Sequence, residues 1–558
     1  MAAFDDAMDA LTGTRPIEKI ELELDGGTED ITDWFRGGAV FDQRREIAPD
    51  RISAGDSTLT FSNHDDKFTE TDAGSIFYGE IYHNRKLKFY VGFQFDDGTK
   101  EYRIQSTMLL KDVSYDFDKS LVYFACTDLT RTLIDSTLNI PPNDTLPAPD
   151  AANIGNGSCS EIATMPFATV NETWTLTCTT PGGDSVAIFS VVGSVSGNIG
   201  NATSGTKFTN ATFGVKFTIK VGGTNWSGGD KFTFTTYQFL EWTNENPAKI
   251  IWSLLTGTIY DTGADENFKS LTLLLDSTRS TANTQIDWTT LVDTVGKVYT
   301  PVTGYIPQNK NTAKAIEELH ILFLGSTMIA PDGRIKVKAY HPALGTPRNF
   351  ADTKKITGRF KRTKKVVDII NSASCKTKRT ATWAWSDDSE DYDFIYVNQD
   401  ATSITNYIET RHKSYESRWL SINWQDNKPE AQRWFIDRLV GRFSIPPTKM
   451  EFITGMDALE TELGDEISIT DSDSDLNQST FAVSHLKKDF VAAPKKISII
   501  CNDDATTGLN WIFWGSSADE GDGISPHSAN WDSASSTDRQ FCYWSTTGAV
   551  ADPRYYWF

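Results

Sequence analysis

Cysteine is scarce in this sequence, with six residues in 558: Cys126, Cys159, Cys178, Cys375, Cys501 and Cys542. None stands in a C-x-x-C pair, so neither a zinc site nor a dense disulfide framework is expected, and buried thiols are. Cys159 and Cys178 are near enough in sequence to pair, but nothing in the spacing requires it. Positive charge is also short. Fifty-three Lys and Arg stand against 75 Asp and Glu, a net charge of −22. That balance argues against a protein whose main work is gripping DNA or an anionic membrane, while leaving room for a local basic patch. Long apolar runs are missing too; none approaches the roughly 18 residues of a spanning helix. Met1 to Ala10 hold three acids and no Lys or Arg, so no basic export signal is expected there.

Catalytic and phosphate motifs are absent as well. No G-x-x-x-x-G-K-[ST], H-E-x-x-H or G-x-S-x-G occurs, and no two histidines are spaced i, i+4. Asp471 to Asp475 begin like a calcium loop. Leu476 then stands where that loop needs Gly, and Ala482 where it needs the bidentate Glu, so a hairpin tip is expected. The acidic run Asp519-Glu520-Gly521-Asp522-Gly523 is the best local candidate for a sugar or calcium site, with a plain acidic loop the simpler reading. No enzyme, no metal and no cofactor is expected.

What is present is enough apolar material to fill several cores. Hydrophobic residues make up 39% and aromatics 12%, which excludes disorder across the whole chain. The length suggests about three to five domains. Leu87, Phe89, Val91, Phe93 and Phe95 alternate, Asp97-Gly98 marks a turn, and Tyr102 and Ile104 open a returning strand. Val122, Phe124 and Cys126 repeat the period of two. Pro141, Pro142, Pro147 and Pro149 then read as a linker that cannot continue a ladder. Between 151 and 236 only 8 of 86 residues are charged and 13 are Gly, and short alternating strands such as Trp174 to Cys178 persist. This pattern fits a small inserted β-sandwich.

Helical signals begin after 240. Asn246 is a candidate N-cap with Pro247 behind it, and Ile250, Ile251, Leu254 and Leu255 form one face before Gly257. Further helices are expected over 312–324 and 429–443, with a Pro331-Asp332-Gly333 hairpin turn between them. The stretch 354–365 is basic, through Lys354, Lys355, Arg359, Lys361, Arg362, Lys364 and Lys365. Its candidate roles are an anion contact or a subunit contact, against a solvated loop. The last 55 residues hold 11 aromatics, among them Trp511, Trp514, Trp531, Trp544 and Trp557. Such a segment packs on a partner or stacks on sugars, or else forms core.

Several blocks, taken in order, resemble phage tail hub proteins: the hub part of lambda-like tip attachment proteins and the baseplate hubs of contractile tails. Asp30-Ile31-Thr32-Asp33, Thr60-Phe61-Ser62-Asn63, Gly74-Ser75-Ile76-Phe77, Asn84-Arg85-Lys86-Leu87 and Cys126-Thr127-Asp128 look like that family's opening barrel. Asn246 to Thr256 is similar to the Asn-Pro-Ala helix that opens its second domain. Val366-Val367-Asp368, Asn371, Ser414-Tyr415, Arg433 to Arg442, Pro446-Pro447 and Leu463-Gly464-Asp465-Glu466-Ile467 complete the set. The segment 153–236 resembles a small β domain found on phage structural proteins, through Asn156-Gly157, Thr175 to Cys178 and Gly228 to Phe232.

The resemblance implies a mainly β chain with α+β parts. Its expected units are a hub β-barrel and linker (1–150), an inserted β-sandwich (151–236), an α+β hub domain (237–345), a second related hub β-barrel with an inserted α+β element (346–503), and an aromatic acidic tail (504–558). It further implies a homotrimer at the virion tail tip that organises assembly and DNA ejection. The implied partners are tail tube or distal tail protein rings, tail fibre or tip proteins, the tape measure protein, and genomic DNA passing without sequence-specific binding. Two rivals stand beside it: a receptor- or glycan-binding tail protein that touches the host surface, and a polysaccharide hydrolase.

Overall fold

A computed structural model describes residues 15–503 apart from 45–54, 137, 139–146, 165–167, 238–239, 264–274, 299–301, 307–310, 324, 340–346, 352–355, 365–368, 378–393, 418, 420–429, 473–475 and 492–494, together with 543–544 and 555–556. The fold is mainly β.

The N-terminal strands are β1 (Arg15–Leu24), β2 (Gly27–Asp30), β3 (Phe35–Gly37), β4 (Val40–Arg44), β5 (Asp56–Ser62), β6 (Lys86–Gln94), β7 (Lys100–Asp116) and β8 (Leu121–Asp128). All but β4 form one sheet in the order β2-β1-β6-β7-β8-β5-β3. The expected β6–β7 hairpin turns at Gly98, whose φ of +85° is open to Gly at little cost. Strand alternation sends Leu87, Phe89, Val91 and Phe93 to one face, where they are fully buried. The sheet rolls around that face: the rings of Phe35 on β3 and Phe89 on β6 stand 5.9 Å apart, although three strands separate them in the sheet. A short helix, α1 (Thr130–Asp135), follows.

Next in the chain are β9 (Ala148–Pro149), β10 (Ser158–Thr164), β11 (Glu172–Thr180), β12 (Ile188–Gly193), β13 (Gly197–Thr203), β14 (Lys207–Asn210), β15 (Val215–Lys220) and β16 (Lys231–Thr236). They form sheets of five and three strands around a core of their own that includes Trp174, Phe189, Phe217, Trp226 and Phe232. Cys159 and Cys178 lie in this core as free thiols. The proline linker departs from expectation at its end, where Ala148 and Pro149 pair with Thr233 and Phe232. They occupy the sheet's edge, the place where a residue without an N–H is tolerated. Asp230 pins the entry, its carboxylate accepting from the backbone N–H groups of Ile154 (2.8 Å), Gly155 (2.9 Å) and Ser227 (2.9 Å).

The middle of the chain contains β17 (Leu240–Glu245), α2 (Pro247–Thr256), α3 (Trp288–Lys297), β18 (Val302–Ile306), α4 (Thr312–Phe323), β19 (Gly325–Ile329) and β20 (Ile335–Ala339). Asn246 caps α2 as expected, accepting from the Ala248 N–H at 2.9 Å. Its amide also donates to the carbonyls of Val295 (3.1 Å) and Val298 (2.7 Å), so one side chain joins the start of α2 to the end of α3.

Next come β21 (Arg348–Ala351), β22 (Ile356–Lys364), β23 (Ser372–Thr377), β24 (Phe394–Gln399), α5 (Ala401–Tyr407), β25 (His412–Ser417), α6 (Glu430–Phe443), β26 (Thr448–Thr454), β27 (Glu466–Asp471), β28 (Leu476–Asp489) and β29 (Lys496–Asp503). Strands β24-β23-β25 form a small sheet. Cys375 of β23 and Phe435, Ile436 and Leu439 of α6 belong to the same core as Ile250, Leu254 and Ile316 of the middle helices. Strands β27 and β28 pair antiparallel, and Asp473 to Asp475, where the hairpin tip is expected, lie outside the described residues.

The remaining strands make a second rolled sheet, β21-β27-β28-β29-β26-β22, in which Phe350 and Phe452 touch at 5.5 Å across three intervening strands. Its layout repeats the first. Each has a three-strand meander (β6-β7-β8, β27-β28-β29). Its last strand pairs with an earlier one (β5, β26), which pairs with one earlier still (β3, β22). The flanks differ: β1 runs antiparallel to β6 and carries β2 beyond it, whereas β21 runs parallel to β27 and ends the sheet.

The repetition holds residue by residue. Asn84 and Gly464 lead into the meanders with φ of 63° and 77°, values that favour Asn and Gly. Asn84 N–H donates to the Leu110 carbonyl (2.7 Å) and Leu110 N–H to that of Arg85 (2.9 Å). Gly464 and Val483 (2.9 Å), then Val483 and Asp465 (2.8 Å), do the same. Both middle strands are irregular at this point, between Leu110 and Asp112 and between Val483 and His485. Opposite Leu110 stands Cys126, and opposite Val483 stands Cys501.

Candidate functional site at the junction of the sheets

Strand β4 leaves the first sheet and pairs antiparallel with the second half of β28, from Val40 opposite Asp489 to Arg44 opposite His485. A segment of the first hundred residues therefore completes a sheet whose other strands all begin at Arg348 or later. Period two then places Phe41 toward the first core, where its ring meets Phe89 (5.1 Å) and Phe490 (6.0 Å). Phe490, from the end of β28, stacks on Phe89 at 5.5 Å, so each sheet sends an aromatic into the joint.

Polar groups complete the junction. The Asp42 carboxylate meets His485 Nε2 at 2.6 Å. Burial works against its charge, but Arg44 and His485 outweigh this and hold Asp42 below the usual carboxylate range. Lys488, only 4% exposed, donates to Gln105 Oε1 (3.0 Å) and to the Leu459 carbonyl (2.7 Å). Burial pushes its ammonium down to about 8, against the opposing pull of Glu462, Asp465 and Glu460. A small cleft of about 10 Å³, room for about one water, opens beside it. Its walls include Gln43, Gln105, Met328, Pro331 and Glu462.

The β19–β20 hairpin is the third party. Pro331 accepts from Thr107 Oγ1 (2.9 Å), Lys336 pairs with Glu462, and Lys338 donates to the Gly464 carbonyl (2.8 Å). Burial disfavours the Lys336 charge, but Glu462, Asp287 and Asp465 prevail and hold it above the usual lysine value. Lys495 with Glu18, and Arg103 with Glu460 (3.4 Å), bridge the sheets again. The site joins three parts of the chain into one body. Its lysine amine donates to two neutral acceptors from different parts of the chain, so its geometry suits fastening.

The residues singled out from sequence lie elsewhere. Arg359, Lys361 and Arg362 fall on β22, the end strand of the second sheet. Lys361 and Arg362 are exposed, and Lys361 pairs with Glu451 across the strands at 3.4 Å. Lys354 and Lys355 lie outside the described residues, as do Trp511, Trp514, Trp531 and Trp557. Trp544 is described in its backbone alone, in β30 (Tyr543–Trp544), paired with β31 (Tyr555–Tyr556). Among the described residues, no group of three or more His, Cys, Asp or Glu is placed to hold a metal ion. Sequence reasoning did not single out Lys488, Gln105, Asp42 or His485. Their partners are hundreds of positions apart, and no local pattern announces such pairs.

No family model matches the chain, and no curated protein matches it. Among solved structures it is similar to a tail protein from Neisseria meningitidis MC58, at 9% identity and a TM-score of 0.40, over 87% of this chain and 97% of that one. It is also similar to the 43 kDa tail protein of prophage MuSo2 from Shewanella oneidensis, at 8% identity and a TM-score of 0.40, over 87% and 98%. A third is the prophage tail protein gp18 from Listeria monocytogenes EGD-e, at 9% identity and 0.38, over 86% and 94%.

Proposed function

We propose that this chain is a virion structural protein, a homotrimeric hub that closes the distal end of a phage tail tube and organises the tail tip for DNA exit. The observation that carries the reading is the repeated sheet. The Asp128 carboxylate accepts from Gly55 N–H (2.8 Å) and that of Asp503 from Thr448 N–H (2.8 Å), each at the same place in its own sheet. A chain with two such rolled sheets offers two similar surfaces. Three copies then present six, which fits a sixfold tube ring above and a threefold tip below. The ordered hub-like motifs support the same reading: Asn84 to Leu87, Cys126-Thr127-Asp128, Asn246 to Thr256 and Leu463 to Ile467.

The division proposed from sequence goes with it: barrel (1–150), insertion (151–236), α+β domain (237–345), second barrel (346–503) and aromatic tail (504–558). In this reading the partners are the tube or distal tail rings, the tape measure protein and the tip or fibre proteins. Three chains of charge −22 around a lumen would repel DNA in transit rather than hold it. The mass of the purified chain in solution tests the assembly. A trimer is expected; a monomer at every concentration and inside particles overturns the reading.

A further inference from the structure

We propose that two oppositely charged sheet edges dock copies of this chain head to tail, the basic edge of β22 on one copy receiving the acidic edge of β2 on the next. The inference rests on the trimeric reading and names its contact.

Each rolled sheet has two end strands paired on one side, β2 and β3 in the first and β21 and β22 in the second, and β2 and β22 are the two that carry opposite charge. Among the described residues β22 pairs with β26 alone, and β2 with β1 alone. Such strands carry rows of free backbone N–H and C=O groups and are templates for another chain. The two edges differ in sign. Lys361, Arg362 and Lys364 of β22 are exposed, and Lys361 keeps 72% of its side chain in solvent despite Glu451. All four residues of β2 are exposed, and Glu29 and Asp30 are among them. Glu23 and Asp25, also exposed, precede them; Arg85 pairs with Asp25, and no Lys or Arg lies between Glu21 and Ile31 in the sequence.

These signs select the arrangement. Two copies meeting β22 to β22, or β2 to β2, would set like charges face to face, which strand pairing disfavours. Only the mixed contact pairs opposite charges. In it the backbone ladder supplies cohesion, and the charges choose partner and orientation. A contact between two different patches is heterologous, and it closes into a ring when its rotation allows. Each copy would then use both of these edges, and the closed ring would leave neither β2 nor β22 free. A Lys-bearing edge also serves simply to prevent pairing, so the test separates the two roles.

The experiment compares the full-length chain with two charge reversals and their combination by light scattering at low ionic strength. One carries Lys361→Glu, Arg362→Glu and Lys364→Glu; the other carries Glu23→Lys and Glu29→Lys. Circular dichroism and thermal unfolding of each confirm the fold. The expected result is a trimer for the parent chain, loss of the trimer with either reversal alone, and its recovery in the chain carrying both. Two trimeric single reversals would overturn this contact while leaving the trimeric reading intact. A folded but monomeric double reversal would also overturn it. A parent chain that is monomeric throughout would remove the reading and the contact together.

Discussion

Cys126 and Cys501 occupy the same position in two different sheets. Each is buried, each stands opposite the irregular step of the central strand, and each lies two residues before an aspartate that holds the start of a neighbouring strand. The equivalence extends to Asn84 with Gly464 and to Leu110 with Val483. Two stretches separated by the whole middle of the chain thus solve one folding problem alike.

The paired aspartates should behave alike when removed. Asp128 accepts from Gly55 N–H and from Thr130 N–H (2.9 Å), and Asp503 from Thr448 N–H. Replacing either by Ala leaves backbone donors without their acceptor, at a cost of about 1–3 kcal/mol. Asp→Asn keeps one carbonyl oxygen and should cost less at both sites. Denaturant unfolding of the four variants checks the order.

Asn246 both accepts and donates, so its replacements should separate the two roles. Asn246→Ser keeps the cap on Ala248 but loses the two donations to α3. Asn246→Asp keeps the cap but turns a carboxylate oxygen toward two carbonyls. The expected order of stability is Asn, then Ser, then Asp, spread over about 1–3 kcal/mol. Thermal unfolding gives the ranking.

Lys488 should make the junction sensitive to alkaline pH. Its folded value is about 8, against an ordinary value of 10.5. Between these the unfolded chain binds more protons, so stability rises with pH through this window and is lost as pH falls through the folded value. The stability difference between the parent and Lys488→Met should therefore shift in favour of the parent from pH 8 to pH 10.5. A difference flat across that range would show that the amine is solvated.

The insertion should be removable. It has its own core, and its entry strand β9 lies beside its exit strand β16, with Ala148 opposite Thr233. Its ends are thus neighbours. Replacing 148–236 with a short Gly-Ser linker should leave the unfolding midpoint of the remainder nearly unchanged. Loss of cooperative unfolding would mean that the rest depends on it. The functional arm is particle assembly against adsorption, since adsorption loss alone would favour host recognition by this unit.

Much of the local structure was legible in the sequence because its causes are local. Asp97-Gly98 and Pro331-Asp332-Gly333 make turns through backbone preference, and Asn246 caps a helix through an N–H two residues away. The junction was not legible. Nothing near Val40 to Arg44 says that this strand pairs with His485 to Asp489, because strand partners are chosen by packing of the whole chain. Proline's inability to continue a ladder makes Ala148 and Pro149 look like linker, but a sheet edge asks less of it. Two related barrels are implied by the family resemblance alone; residue patterns do not show the repeat, because it lives in hydrogen bonds, while Asn84 and Gly464 share only a tolerance for positive φ.

The most direct test of the central claim is a side-chain-resolution map of the tail particle that carries this chain. It should show three copies around the tail axis, with the sheets bearing Cys126 and Cys501 alternating as six similar units. One copy off the axis, or six copies each using one sheet in the ring, would contradict it.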